Sequence, residues 1–189
     1  MLVEATKGTW LLGLGIGKRS PRSLLESPLT VDFHCVEHNT LYQANFDNAQ
    51  NVFLGFQQSE TPYWQGNGNP SLNPDPWSPL PLASDPDFSW CSGGDAQCRM
   101  ALYQRISGSS NLSMYGGGFW TFFNNNQFCN SDCQSNALLI QNTKSLFYFG
   151  INTRFVSTLV RNNGASLVTS GNNPGGWGAG VAAFLTDSQ

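Results

Sequence analysis

The sequence predicts an all-β fold, a parallel β-helix (solenoid) with long irregular loops. Three observations predict it. Short β-like runs recur in pairs around a polar turn. No segment carries the 3.6-residue period of an amphipathic helix, because Gly and Asn interrupt every long stretch. The pairs are separated by loops too long and too uneven for a sandwich, whereas a solenoid lets insertions project from one side of its stacked coils.

The pairs follow in order. "LYQANF" (41–46) leads through "DNAQ" into "NVFLGF" (51–56). "ALYQRI" (101–106) leads through "SGSS" into "NLSMYG" (111–116), and "ALLIQN" (137–142) through "TK" into "SLFYFG" (145–150). Each second run opens on Asn or Ser and carries a glycine at or near its end: Gly55, Gly116 and Gly150. The stretch "GGWGAGVAAFLTDS" (175–188) is expected to be a last strand closing the stack.

Composition sets the environment. The chain has 189 residues, enough for one domain with a core, and its net charge is −3. Only 11% of residues are charged, and no basic footprint for a nucleic acid is present. Aromatics reach 13%, which excludes a disordered chain. Polarity rests on Asn, Gln, Ser, Thr and Gly, a surface suited to an extracellular protein handling neutral polar ligands such as sugars. An ordinary secreted β protein fits the composition equally well. No apolar run is long enough to span a membrane.

The cysteines agree with export. Cys91 and Cys98 flank a Gly- and Asp-rich loop, as Cys129 and Cys133 flank an Asn- and Ser-rich one, and each pair is expected to close a local disulfide. A four-cysteine zinc site is the rival, but the spacings do not match the usual ligand pairs. Cys35 is left over, and Asn111 heads a glycosylation sequon, "NLS". "MLVEATKGTW" has no signal-peptide pattern. A chain of secreted character without a leader is expected to be the C-terminal piece of a longer protein.

The loop 57–100 holds, in its stretch 69–90, six of the ten prolines, which fix φ and stiffen it. It reads either as a rigid cover or as the wall of a cleft, with Tyr63, Trp64, Trp77 and Trp90 as flat faces for sugar rings. One of four glutamates, Glu60, sits at its root in "GFQQSETPYWQG". A carboxylate beside aromatic rings is expensive to ionise, so Glu60 is either a well-satisfied structural group or a proton donor.

The segment "VEHNTLYQANFDNAQNVFLGFQQSETPYWQ" (36–65) resembles the catalytic segment of the fungal exo-β-1,3-glucanases of glycoside hydrolase family 55. The likeness lies in a Glu-His followed by Leu-Tyr, an Asn-Val strand, and Gln-x-Glu-Thr-x-Tyr. It continues through the cysteine pairs, "GGGFWTFF", "YFGINT" and "NPGGWGAGVAAFL", and so covers about residues 36–189.

The resemblance implies a protein of two right-handed parallel β-helices side by side, with the active site between them. This chain (1–189) would be the last part of the second, and the N-terminal β-helix would be a partner missing from it. The implied reaction is inverting, exo-acting hydrolysis of β-1,3-glucan or laminari-oligosaccharides. No cofactor, metal, nucleic acid or membrane is implied, and the whole protein would be secreted. Without the other half the chain is expected to be inactive.

Matched by position, Glu60 takes the place of the family's general acid and Glu37 that of a second catalytic acidic residue. Glycoside cleavage needs one protonated carboxyl at the leaving oxygen and one group to activate water, about 6.5–9.5 Å apart in an inverting pair. Aromatic neighbours would keep Glu60 protonated in mild acid; Glu37 either completes the pair or only tunes Glu60. Tyr63 matches a substrate-contacting aromatic, and Trp64, Gln65 and His38 are further substrate-binding candidates. A structural hydrogen bond is the plainer reading of His38.

One stretch departs from the family. After "GTWLLGLG" (8–15) the Glu-His strand is expected almost at once, yet residues 16–35 intervene. They hold Lys18, Arg19, Arg22 and Cys35, and read as an atypical insertion or as translated non-coding sequence. Two other classes compete: a non-catalytic polysaccharide-binding β-solenoid, and a polysaccharide lyase, which would need basic residues and Ca²⁺-binding Asp clusters that the chain does not supply.

Overall fold

The structure is a computed structural model. It describes the backbone of residues 2–3, 9–11, 14–16, 29–31, 34–68, 85–175 and 178–185, and the side chains of 36–68 and 85–173. Among the described residues there is no α-helix. The strands are β1 (Leu2–Val3), β2 (Thr9–Leu11), β3 (Leu14–Ile16), β4 (Leu29–Val31), β5 (His34–Val36), β6 (Tyr42–Asp47), β7 (Gln50–Leu54) and β8 (Gln57–Glu60). They continue as β9 (Leu102–Ser107), β10 (Ser110–Trp120), β11 (Phe123–Asn124), β12 (Gln127–Phe128), β13 (Gln134–Gln141) and β14 (Lys144–Arg154). The last are β15 (Val156–Asn162), β16 (Ala165–Thr169), β17 (Pro174–Gly175) and β18 (Gly178–Leu185).

These strands form an all-β fold of mixed parallel and antiparallel sheets. A smaller sheet has the order β1-β6-β9-β13-β15-β16. A larger one runs β17-β18-β14-β10-β7-β4-β2, with β8, β5 and β3 continuing the ends of β7, β4 and β2. Consecutive long strands alternate between the two sheets, and each pairs in parallel with its counterpart one repeat later. Thus Tyr42 aligns with Leu102, Gln104 with Leu138, and Ser110 with both Gln50 and Lys144. Within these two sheets antiparallel pairing enters at the C-terminal side, where β16 returns on β15 and β18 on β14; β11 and β12 form a separate antiparallel hairpin.

All three predicted pairs of runs are strands, displaced by a residue or a few. β10 and β14 run on past their glycines instead of ending there. Gly116 is aligned beside Gly150, and both take positive φ (81° and 71°), so the glycine marks a bend within a strand. A Cβ at Gly116 would come within 2.7 Å of the Phe56 ring. β8, β15 and β16 lie outside the predicted runs. β18 falls in the predicted terminal stretch but runs antiparallel to its neighbour.

The turns between sheets explain the asparagines. Asn48, Asn51, Asn111, Asn142 and Asn163 all adopt positive φ, which Asn tolerates better than most residues. Asn111 Nδ2 donates to Asn51 Oδ1 at 2.5 Å, so the sequon amide is engaged in stacking one turn on the next.

The core lies between the two sheets, around Phe46, Leu54, Tyr103, Met114, Phe119 and Tyr148. A satellite cluster of Tyr42, Phe88, Leu102 and Leu139 covers the other face of the small sheet, and Trp90 packs against it. Trp90 is therefore a packing residue, its ring tilted against Phe88 at 5.2 Å, not a free face on a cleft wall. Trp77 lies outside the described residues. Disulfides join Cys91 to Cys98 and Cys129 to Cys133. The end of the atypical segment 16–35 contributes β4 and most of β5, which continue the large sheet in parallel register. Cys35 aligns with Gly15 and Gln58 there; its thiol lies outside the described side chains.

Candidate functional site

Glu60 is the last residue of β8, and Glu37 follows directly on β5. Because β5 and β8 are parallel neighbours, both carboxylates emerge at the same end of the sheet. The ladder carries on past the strand ends, with His38 N–H donating to the Glu60 carbonyl at 3.1 Å. Ser59 Oγ donates to the Val36 carbonyl and ties the two segments together. His38 takes a φ of 60°, in the left-handed region that His enters more readily than most residues.

The His38 ring sits between the two carboxylates. Its Nε2 is 3.6 Å from Glu37 Oε2 and 3.9 Å from Glu60 Oε2. Its Nδ1 lies 3.0 Å from the Thr61 carbonyl. A carbonyl only accepts, so Nδ1 carries a proton. Gln58 Nε2 donates to Glu37 Oε1 at 3.2 Å and orients that carboxylate. One oxygen of each glutamate and a His38 nitrogen lie within 4.8 Å of one another. That is shorter than the ~6.5–9.5 Å expected of an inverting pair. As neighbouring parallel strands, β5 and β8 bring the nearest oxygens of the two groups this close.

Tyr63 closes the other side of Glu60. Its hydroxyl donates to Glu60 Oε2 at 2.6 Å. This hydrogen bond, with burial and the negative charges of Glu60 and Glu37 behind it, pushes the Tyr63 phenol up to about 12. The ring stands edge-on to His38 (4.6 Å between centroids) and leans on Phe123 at 4.3 Å. His38, Tyr63 and Phe123 make a continuous aromatic row beside the carboxylates.

The loop after β8 is pinned to the hairpin β11–β12. Asn125 and Asn126 N–H groups donate to the Gln65 and Tyr63 carbonyls at 2.6 and 2.7 Å. Asn124 Oδ1 accepts from Asn67 N–H, and its Nδ2 donates to the Cys133 carbonyl. The Cys129–Cys133 loop thereby braces the hairpin that braces Tyr63.

The sequence candidates separate here. Glu37, His38, Glu60 and Tyr63 come together. Trp64 is half-buried beside them. Gln65 is fully buried, its Nε2 donating to the Thr40 carbonyl and its Oε1 accepting from Ala101 N–H, the geometry of a loop anchor. Sequence reasoning missed Gln58 and Phe123; the first was masked by its strand, the second sat unassigned in "GGGFWTFF".

The arrangement can hold a proton or a cation between two carboxylates and an imidazole, and can present an aromatic face next to them. No family model matches the chain. It is similar to a glucan endo-1,3-β-glucosidase of Trichoderma harzianum, 39% identical over 157 residues, which are 79% of this chain and 21% of that protein. A probable glucan endo-1,3-β-glucosidase of Arthroderma benhamiae is 32% identical over 151 residues, 78% of this chain and 16% of the relative. A glucan 1,3-β-glucosidase of Cochliobolus carbonum is 35% identical over 133 residues, 66% of this chain and 16% of the relative. The chain is thus homologous to part of the fungal glucan 1,3-β-glucosidases. It spans 21% or less of the length of these three.

Proposed function

We propose that the chain carries the acid-catalytic part of a secreted glycoside hydrolase acting on β-1,3-glucan or laminari-oligosaccharides, with Glu60 as general acid. The observation that carries this is the Glu60 carboxyl at a strand end, 2.6 Å from the Tyr63 hydroxyl and beside an aromatic row. Homology to glucan 1,3-β-glucosidases over most of the chain supports the substrate class. Two disulfides support secretion.

The geometry supports the following roles. Tyr63 holds Oε2 of Glu60 and leaves Oε1 to deliver a proton to the leaving glycosidic oxygen. Glu37 and His38 set the charge around Glu60 and do not activate water. The water is activated by groups elsewhere in the whole protein, consistent with the inverting, exo-acting reading drawn from the family resemblance. Two of the relatives are named endo-acting, so product analysis decides the mode: exo action releases small units from chain ends, endo action shortens chains internally. The rings of Tyr63 and Phe123 are the sugar platform. The alternating strands and in-register parallel pairs support a parallel β-helix, here part of its C-terminal coils, with an N-terminal β-helix as the partner domain.

The test is Glu60→Gln in the full-length protein, with laminarin hydrolysis and laminari-oligosaccharide affinity measured side by side. The expected result is a fall in hydrolysis of about 10²–10⁴-fold with binding retained, since the amide is isosteric. Unchanged hydrolysis removes Glu60 from the role. A wild-type protein that binds laminarin without cleaving it makes the chain a polysaccharide-binding solenoid.

A further inference from the structure

We propose that Glu37, His38 and Glu60 form a binding site for one divalent transition-metal ion of the zinc class. The inference starts from the His38 tautomer. Nδ1 is committed as a donor to the Thr61 carbonyl. In the neutral ring Nε2 therefore bears a lone pair, and it points between two carboxylates, 3.6 and 3.9 Å away. Three electron-rich atoms converge there, and Glu60 Oε2, which already accepts from the Tyr63 hydroxyl, keeps a second lone pair for a cation. A ring nitrogen fixed by a backbone carbonyl, with the other nitrogen free, is the arrangement that orients metal-ligating histidines.

The distances fit. Tetrahedral ligands ~2.0–2.1 Å from zinc stand about 3.4 Å from one another. The two histidine–carboxylate separations need to close by only a few tenths of an ångström. The widest separation within the group, 4.8 Å, closes by side-chain rotation at the strand ends. Gln58 supplies a further support by donating to Glu37 Oε1, the oxygen turned away from His38. The three side chains are 21–38% exposed, so an ion reaches them from solvent. Imidazole with carboxylate favours zinc, copper or nickel over magnesium or calcium.

The site overlaps Glu60, so under the function proposed above a bound ion takes the acid out of use and acts as an inhibitor. The binding itself does not depend on that function. The experiment is isothermal titration of the full-length protein with zinc chloride, then with magnesium chloride, with EDTA reversal. One saturable equivalent of zinc, no saturable magnesium, and full reversal are expected. Glu37→Gln and His38→Gln should each weaken zinc by at least about tenfold, and Gln58→Ala by about tenfold, with circular dichroism unchanged. Absence of saturable zinc binding overturns the proposal, as does binding that survives both ligand substitutions. Calorimetry reads the ion directly, so a protein lacking glucanase activity still shows the site, and the two readings fail separately.

Discussion

The Tyr63 hydroxyl donates a 2.6 Å hydrogen bond to Glu60 Oε2, three residues before it in the chain. Tyr63→Phe keeps the ring against His38 and Phe123 and removes that bond. A hydrogen bond to a charged group is worth about 1.5–3 kcal/mol when shielded, and less at this partly exposed position. We expect kcat on laminarin to fall about tenfold with KM little changed. Alkaline titration at the tyrosinate absorbance checks the same contact, because wild type should show a component near pH 12 that the variant lacks. The folded-state value is raised, so the associated stability is complete below pH about 10 and is lost as pH rises towards about 12. A variant with unchanged kcat and an unchanged titration contradicts the contact.

Glu37→Gln should behave differently from Glu60→Gln. The amide still accepts from Gln58, and Glu37 neither gives nor takes the reacting proton in this account. The loss of hydrolysis should stay within about tenfold, against about 10²–10⁴-fold for the acid. A loss as large as that of Glu60→Gln would make Glu37 the base.

How far the sequence was legible follows from periodicity. Runs such as 101–106 and 145–150 are short, rich in apolar and aromatic residues and bounded by polar turns, so their strands are visible. β8 was not, because "QQSE" is polar: Gln57 and Ser59 are fully buried and hydrogen-bonded, a burial that composition does not announce. The pairing of Glu37 with Glu60 came from the family resemblance and not from the strand pattern. Their separation was not legible, since it depends on β5 lying directly beside β8. Gln65 misled because exposed and buried glutamines look alike in sequence, and only the contacts to Thr40 and Ala101 distinguish them.

Gly66→Ala should disturb the site from outside it. Gly66 has a φ of 123°, and a Cβ there would lie 2.1 Å from Asn124 Oδ1. Asn124 is held on both sides, so the hairpin or the Tyr63 loop must shift. Displacing a positioning group by about 1 Å costs up to about a hundredfold in rate. Activity should fall while the far-ultraviolet spectrum is retained; full activity would show that the hairpin does not position Tyr63.

Gly117→Ala should act on stability alone. Its Cβ would come within 2.8 Å of both the Tyr103 and the Tyr148 hydroxyls, which are fully buried and 3.2 Å apart. Tyr103 also donates to the Gln57 carbonyl, so neither ring can retreat cheaply. Overpacking of this kind costs about 1–3 kcal/mol. Thermal unfolding should begin several degrees lower, at about 2–4 °C per kcal/mol for a domain of this size. An unchanged midpoint would mean that the tyrosine pair has room the distances do not show.

The leaving-group dependence of Glu60→Gln tests the central claim most directly. A general acid matters when the leaving oxygen needs a proton and hardly matters when it leaves as a stable phenolate. The full-length variant should lose about 10²–10⁴-fold on laminari-oligosaccharides and less than about tenfold on dinitrophenyl β-glucoside. Equal large losses on both substrates would contradict the account, because Glu60 would then act on the sugar or the water and not on the leaving group.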